Sequence, residues 1–262
     1  MPKASVVFIG TVIIISQPKM TVERAKTGIP GFDELVGGGI PRGRTVLLAG
    51  GSGTGKTIFG TQFLYNGALM GENGLYLTLE EKPKNIRREM AEFGMDIPRM
   101  EKEGKMAIID ASLVRLGLES DEKYTMPPES FDVNHLVQTL IMTAKNVGAK
   151  RVVVDALPSL DVLLNNDAIK VRTAIIELNY LLQEHGLTTL LLDEMPSGHE
   201  TYSRHGVEEF VVDGVIVLQL ESLGSQSSRT LTIRKMRHTK HSEAINSFEI
   251  VSGKGIVIEG RG

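Results

Sequence analysis

Gly50, Gly51, Ser52, Gly53, Thr54, Gly55, Lys56 and Thr57 fit the spacing G-x-x-x-x-G-K-[ST] at every specified position. The apolar run Val46, Leu47, Leu48 precedes them and an amphipathic helical pattern from Lys56 to Met70 follows, which is the context such a loop needs. Glycine carries no Cβ, so backbone N–H groups here can turn inward onto phosphate oxygens. Lys56 brings a point charge to the β- and γ-phosphates, Thr57 offers a hydroxyl to Mg²⁺, and the helix N-terminus adds its dipole. A bare glycine-rich turn would need neither the lysine nor the threonine. The segment therefore predicts that the chain binds ATP with magnesium, and it fixes a strand and a helix on either side of the loop.

The remaining pattern agrees with an α/β fold. β-Branched apolar runs at Thr45 to Ala49, Leu75 to Leu79, Met106 to Ile109, Arg151 to Val154 and Thr188 to Leu192 read as strands of a buried, mainly parallel sheet. Helical stretches lie between them at Lys56 to Met70, Lys84 to Phe93, Val133 to Val147 and Ala168 to Glu184. In the last helix Ile169, Ile175, Ile176, Leu178, Leu181 and Leu182 form a stripe expected to be core. From Asp213 onward four short strand patterns, Gly214 to Leu220, Thr230 to Arg234, Phe248 to Val251 and Ile256 to Ile258, suggest an antiparallel β extension at the C-terminal end. Ala111 to Ser130 and Glu194 to Glu209 read as long loops.

At 262 residues the chain suits one large domain, assigned here to residues 21–262, after an apolar extension over residues 1–20. Val6 to Ile15 is apolar but for Gly10 and Thr11, too short to span a bilayer and without the flanks of a secretory signal. It is expected to be an extra strand or a segment upstream of a natural start at Met20, in a cytoplasmic protein. Lys and Arg total 29 against 32 Asp and Glu, so no global positive field marks a nucleic-acid binder. Cysteine is absent, which removes disulfides, thiolate metal sites and cysteine nucleophiles.

Asp155 ends the run Val152, Val153, Val154, roughly one hundred residues beyond the loop, where a carboxylate would hold Mg²⁺ or its water. Hydrolysis also needs a group to orient or deprotonate water. Glu80 and Glu81, closing the run that ends at Leu79, are the candidates, with solvated charges leading into the next helix as the plainer alternative. Glu194, just past Leu192, is placed either to sense the γ-phosphate or simply to be solvated at the sheet edge. His199, His205, His238 and His241 show no metal-binding spacing and read as solvated loop histidines.

Beyond the extension, the sequence resembles the single-domain KaiC-like branch of the RecA superfamily of P-loop ATPases. The resemblance rests on Thr27-Gly-Ile-Pro-Gly-Phe-Asp-Glu-Leu, Gly37-Gly-Gly-Ile-Pro-Arg-Gly, the phosphate loop, Leu79-Glu-Glu, Val154-Asp and Lys235-Met-Arg-His-Thr-Lys-His. It implies a RecA-like fold, hydrolysis of ATP, and a homo-oligomeric ring, a hexamer, used as a regulatory switch or motor. It also implies Glu80 as general base with Glu81 assisting, and Lys235 and Arg237 reaching the γ-phosphate of the next subunit. A charged edge strand that resists aggregation is the plainer account of Lys235 and Arg237. Such proteins commonly have glycine after the arginine, whereas this chain has His238. The clock protein carries two such domains; one phosphate loop occurs here, so a circadian role does not follow.

Two other readings stay open. RecA relatives pass DNA along loops placed like Asp161 to Asp167 and Glu194 to Glu209, although these carry Arg204 and few other cations. Clock relatives autophosphorylate, and Ser227, Ser228, Thr239 and Ser242 lie near the corresponding hairpin.

Overall fold

The computed structural model describes residues 6–9, 12–15, 22–126, 132–164, 167–195, 208–223 and 226–259. Strands β1 (Val6–Ile9) and β2 (Val12–Ile15) pair with each other as an antiparallel hairpin and share no ladder with the main sheet. A second small sheet, β3 (Arg24–Ala25) with β4 (Ile40–Pro41), brackets the short helix α1 (Phe32–Leu35).

The alternation then begins with β5 (Thr45–Gly50), α2 (Lys56–Leu69), β6 (Gly74–Thr78), α3 (Pro83–Glu92) and α4 (Ile97–Lys102). It continues with β7 (Met106–Asp110), β8 (Tyr124–Thr125), α5 (Val133–Val147), β9 (Arg151–Asp155), α6 (Pro158–Leu163), α7 (Ala168–Glu184) and β10 (Thr188–Glu194). After α8 (Glu208–Val211) come β11 (Gly214–Leu223), β12 (Gln226–Met236), β13 (Asn246–Val251) and β14 (Gly255–Ile258). The helix limits follow from local chemistry. Asp132 accepts from His135 N at 2.7 Å to start α5, and Gly148 ends it in the left-handed conformation. Asp167 likewise accepts from Ile169 N and Lys170 N at the start of α7.

The sheet has ten strands in the order β14-β13-β12-β11-β5-β10-β9-β6-β7-β8. From β11 to β8 every pairing is parallel, while β12, β13 and β14 add antiparallel strands at one edge. Because β5 lies between two strands that come much later in the chain, a crevice opens at its C-terminal end, where Gly50 begins the loop. Strand periodicity divides the core: Val46 and Leu48 join the layer under α2, and Leu47 and Ala49 the layer under α5 and α7.

Four expectations change. β11 was expected among antiparallel strands but runs parallel to β5, its Gly214 opposite Val46 and its Leu218 opposite Gly50. Ile169 and Ile176 were assigned to the core stripe of α7 but are 79% and 45% exposed, while Ile175, Leu178 and Leu182 are buried, because the buried arc is narrower than the apolar one. The expected loop at Asp161 is the interior of α6, with Asp161 buried. Ala111 to Ser130 includes a 3₁₀ turn at Val114–Leu116 and the short parallel strand β8. Most of the Glu194 to Glu209 segment, with His199, Arg204 and His205, lies outside the described residues. Among the described residues no helix is long and apolar enough to cross a membrane.

Candidate functional site

The loop from Gly50 to Thr57 bends over the end of β5 because two positions have no room for a side chain. A Cβ on Gly50 would come within 2.6 Å of Leu218 O and 2.7 Å of Thr54 Oγ1. Gly55 has φ 102° and Ile250 Cδ1 at 3.1 Å from where its Cβ would stand. Thr54 is buried and stiffens the turn by donating to Gly51 O at 2.8 Å. Lys56 Nζ folds back onto Gly50 O and Gly51 O, both at 2.8 Å.

A cavity of about 720 Å³ opens over the loop, lined by Ser52, Gly53, Gly55, Lys56 and Thr57. Its far wall brings together the sequence-predicted Glu80, Glu81, Asp155 and Glu194 from the ends of three neighbouring parallel strands, β6, β9 and β10. Thr57 Oγ1 donates to Asp155 Oδ2 at 2.9 Å, so the two candidate magnesium ligands meet. Tyr76 Oη donates to the same Oδ2. Ser159, 1% exposed on α6, donates to Glu80 Oε1 at 2.7 Å. A hydroxyl and a carboxylate side by side beneath a phosphate loop are hard oxygen donors of the kind Mg²⁺ takes, the rest of its shell being water and phosphate. Among the described residues no cluster of three or more His, Asp or Glu forms an all-protein metal cage.

The rest of the lining was not legible from motifs. Arg229 on β12, Ile250 on β13, and Glu89 and Phe93 at the end of α3 all line the cavity. Arg229 is opposite Leu220 on β11, two residues past the Leu218–Gly50 pairing, and its Nε is buried with no hydrogen-bond partner among the described residues. Glu80, Glu81, Glu89, Asp155 and Glu194 give the described lining five carboxylates against two cations, Lys56 and Arg229.

These charges act on each other. Burial lowers the Lys56 ammonium, opposed by Glu194, Asp155, Asp193 and Glu80. Burial raises the Glu81 carboxyl, and the nearby Glu89 and Asp155 raise it further, against Arg88. Burial also raises Asp155, outweighing the lowering effects of the Tyr76 and Thr57 hydrogen bonds and of Lys56. A group raised on folding favours the folded state at low pH and loses that advantage as pH rises through its folded pKa. Above the ordinary carboxylate range the burial of Asp155 is therefore a stability cost, and Asp155→Asn is expected to raise the Tm of the nucleotide-free protein. The scale is about 2–4 °C for each kcal/mol recovered, read by differential scanning calorimetry. A lowered Tm would contradict that sign.

Lys235 and Arg237 are not in this cavity. Lys235 pairs with Val215 and donates to Glu209 O at 2.9 Å and Val212 O at 2.7 Å. Burial lowers its ammonium, and Arg237 lowers it further. Arg237 N donates to Asp213 O, and Asp213 N to Thr45 O, which puts Arg237 level with the first residue of β5. The loop begins at the last, about 17 Å away at strand rise. The guanidinium is half exposed, with Nη1 3.7 Å from Asp213 Oδ1 and Nη2 3.4 Å from Phe210 O. His238 takes φ 57°, a left-handed conformation that glycine adopts more readily than a residue with a side chain.

The chain matches the family described as ATPase: KaiC over residues 25–262. It is 39% identical over 237 residues to a UPF0273 protein of Pyrococcus furiosus, covering 90% of this chain and 94% of that one. It is 37% identical over 245 residues to the circadian clock protein KaiC3 of Synechocystis, covering 94% of this chain but 47% of that protein. The crystal structure of a KaiC-like protein from Pyrococcus horikoshii superposes with a TM-score of 0.79 at 43% identity, over 92% of this chain and all 100% of that one.

Proposed function

Because this chain belongs to the KaiC family of RecA-like ATPases, we propose that it hydrolyses ATP at sites completed by a neighbouring copy of itself, in a ring that works as a switch or motor. The observation that carries this reading is the charge balance of the cavity: five carboxylates face two cations where a triphosphate must bind. Polyanion binding there requires cations from elsewhere. Magnesium, held by Thr57 and Asp155, would neutralise charge on the β- and γ-phosphates. Lys235 and Arg237, which within one protomer lie at the far end of the strands, would add positive charge from the next subunit as the transition state forms.

In this reading the backbone N–H groups of residues 51–57 and Lys56 cradle the phosphates. The nucleobase lies toward Arg229 and Ile250, because β12 and β13 flank β5 on the side away from Asp155 and Glu80. Glu80, oriented by Ser159, accepts a proton from water as its oxygen attacks phosphorus. Glu81 assists, and Glu194, nearest to Gly50 in register, senses the γ-phosphate. Arg237 stabilises the equatorial oxygens at the transition state.

ATPase rate per protomer should therefore rise with protein concentration as subunits associate. Lys56→Ala should abolish binding of a fluorescent ATP analogue, weakening it at least about 100-fold given the loss of a charge-assisted phosphate contact. Full turnover by a monomeric species, shown by sedimentation at the assay concentration, would overturn the shared site. The DNA-binding reading has less support: the Asp161 segment is a helix with buried Asp161. Micromolar, steeply salt-dependent binding of single-stranded DNA would restore it.

A further inference from the structure

We propose that Tyr76 is a positioning residue for magnesium, its phenol holding the Asp155 carboxylate in the orientation that the cation's water shell requires. The inference rests on the nucleotide reading above. β6 and β9 pair in parallel with Tyr76 opposite Val153 and Thr78 opposite Asp155, so Tyr76 and Asp155 are diagonal neighbours. Diagonal partners stand about 7–8 Å apart, a gap that an aromatic side chain can bridge. Tyr76 does so from inside the core layer under α2, where it is 1% exposed.

Its hydroxyl donates to Asp155 Oδ2, the oxygen that also receives Thr57 Oγ1 at 2.9 Å. Two donors converging on one carboxylate oxygen from different elements, a strand and a helix N-terminus, fix both the position and the plane of the group. With Oδ2 engaged by both donors, Oδ1 would be the oxygen left for a cation's water. A buried tyrosine must put its hydroxyl against some acceptor, and a phenylalanine would fill this apolar layer with no such demand. Here the acceptor is the magnesium ligand itself, and partners in that position orient ligands and tune affinity.

The test is binding of a fluorescent ATP analogue to the full chain at increasing Mg²⁺, with Tm measured in parallel. Tyr76→Phe is expected to raise the half-saturating Mg²⁺ concentration about tenfold, while binding without magnesium stays unchanged. Tyr76→Leu, which also removes the ring, should show the same magnesium shift together with a lowered Tm. A half-saturating concentration within about twofold of wild type in Tyr76→Phe sinks the proposal, as does a shift confined to Tyr76→Leu. A wild-type protein that binds the analogue with no magnesium dependence, or not at all, instead overturns the nucleotide reading beneath it.

Discussion

Replacing Arg237 with alanine is expected to lower kcat by about 10³-fold, the lower end of what such arginines contribute in GTPases, with little change in nucleotide binding. The Arg237 guanidinium is half exposed and, among the described residues, tethered by long contacts to Asp213 and the Phe210 carbonyl, so removing it should leave the fold intact. Its loss removes stabilisation made only in the transition state, which lowers kcat and kcat/KM together. The decisive measurement mixes this variant with one whose own cavity is disabled. In a shared site, an Arg237→Ala subunit with an intact cavity can be completed by the arginine of a Glu80→Gln neighbour. Random mixing at equal amounts should then restore about one quarter of wild-type activity from two nearly inactive proteins, because each head-to-tail junction independently draws its two halves. No recovery in co-assembled oligomers would mean that arginine and cavity act within one chain, whereas an Arg237→Ala protein as active as wild type would make Arg237 a charged edge residue only.

Glu80→Gln is the second large effect. The substitution keeps size and hydrogen-bonding capacity toward Ser159, whose hydroxyl now meets Glu80 Oε1 at 2.7 Å. It removes the site for the proton of the attacking water. We expect kcat to fall by about 10²- to 10⁴-fold, the range for loss of a positioned general base. Affinity for ATP should be unchanged, so ATP bound in a single-turnover experiment should remain uncleaved. A kcat within tenfold of wild type would shift the role toward Glu81, whose carboxyl is raised by burial and by the proximity of Glu89 and Asp155.

What could be read in advance follows a physical division. The phosphate loop was legible because its constraints are local: glycines with no room for Cβ, a lysine and a threonine at fixed offsets. The limits read for α5 and α7 agree with the structure to the residue, and Asp132 and Asp167 cap them within the segment itself. Asp155 and Glu80 stood out because a carboxylate closing an apolar run breaks its pattern. Arg229, Tyr76 and Ser159 carry no such mark, since they reach the site through register: Arg229 through β12 on β11, Tyr76 diagonally across β6 and β9, Ser159 through the turn into α6. The direction of β11 was misread for the same reason. Its pairing with β5 joins residues more than one hundred and sixty positions apart, and short alternating runs look alike whether their partner runs up or down.

The separation of the two half-sites also has an arithmetic consequence. The loop sits at the C-terminal ends of the parallel strands and Arg237 at their N-terminal level. In the shared-site reading, subunits thus join head to tail, and any open chain leaves one cavity at one end and one arginine at the other unmatched. Such a chain always has one fewer complete site than it has members, a deficit that halves a pair but barely touches a long row. Only closure removes it, so output per subunit should reach its ceiling when the last gap in the ring is filled.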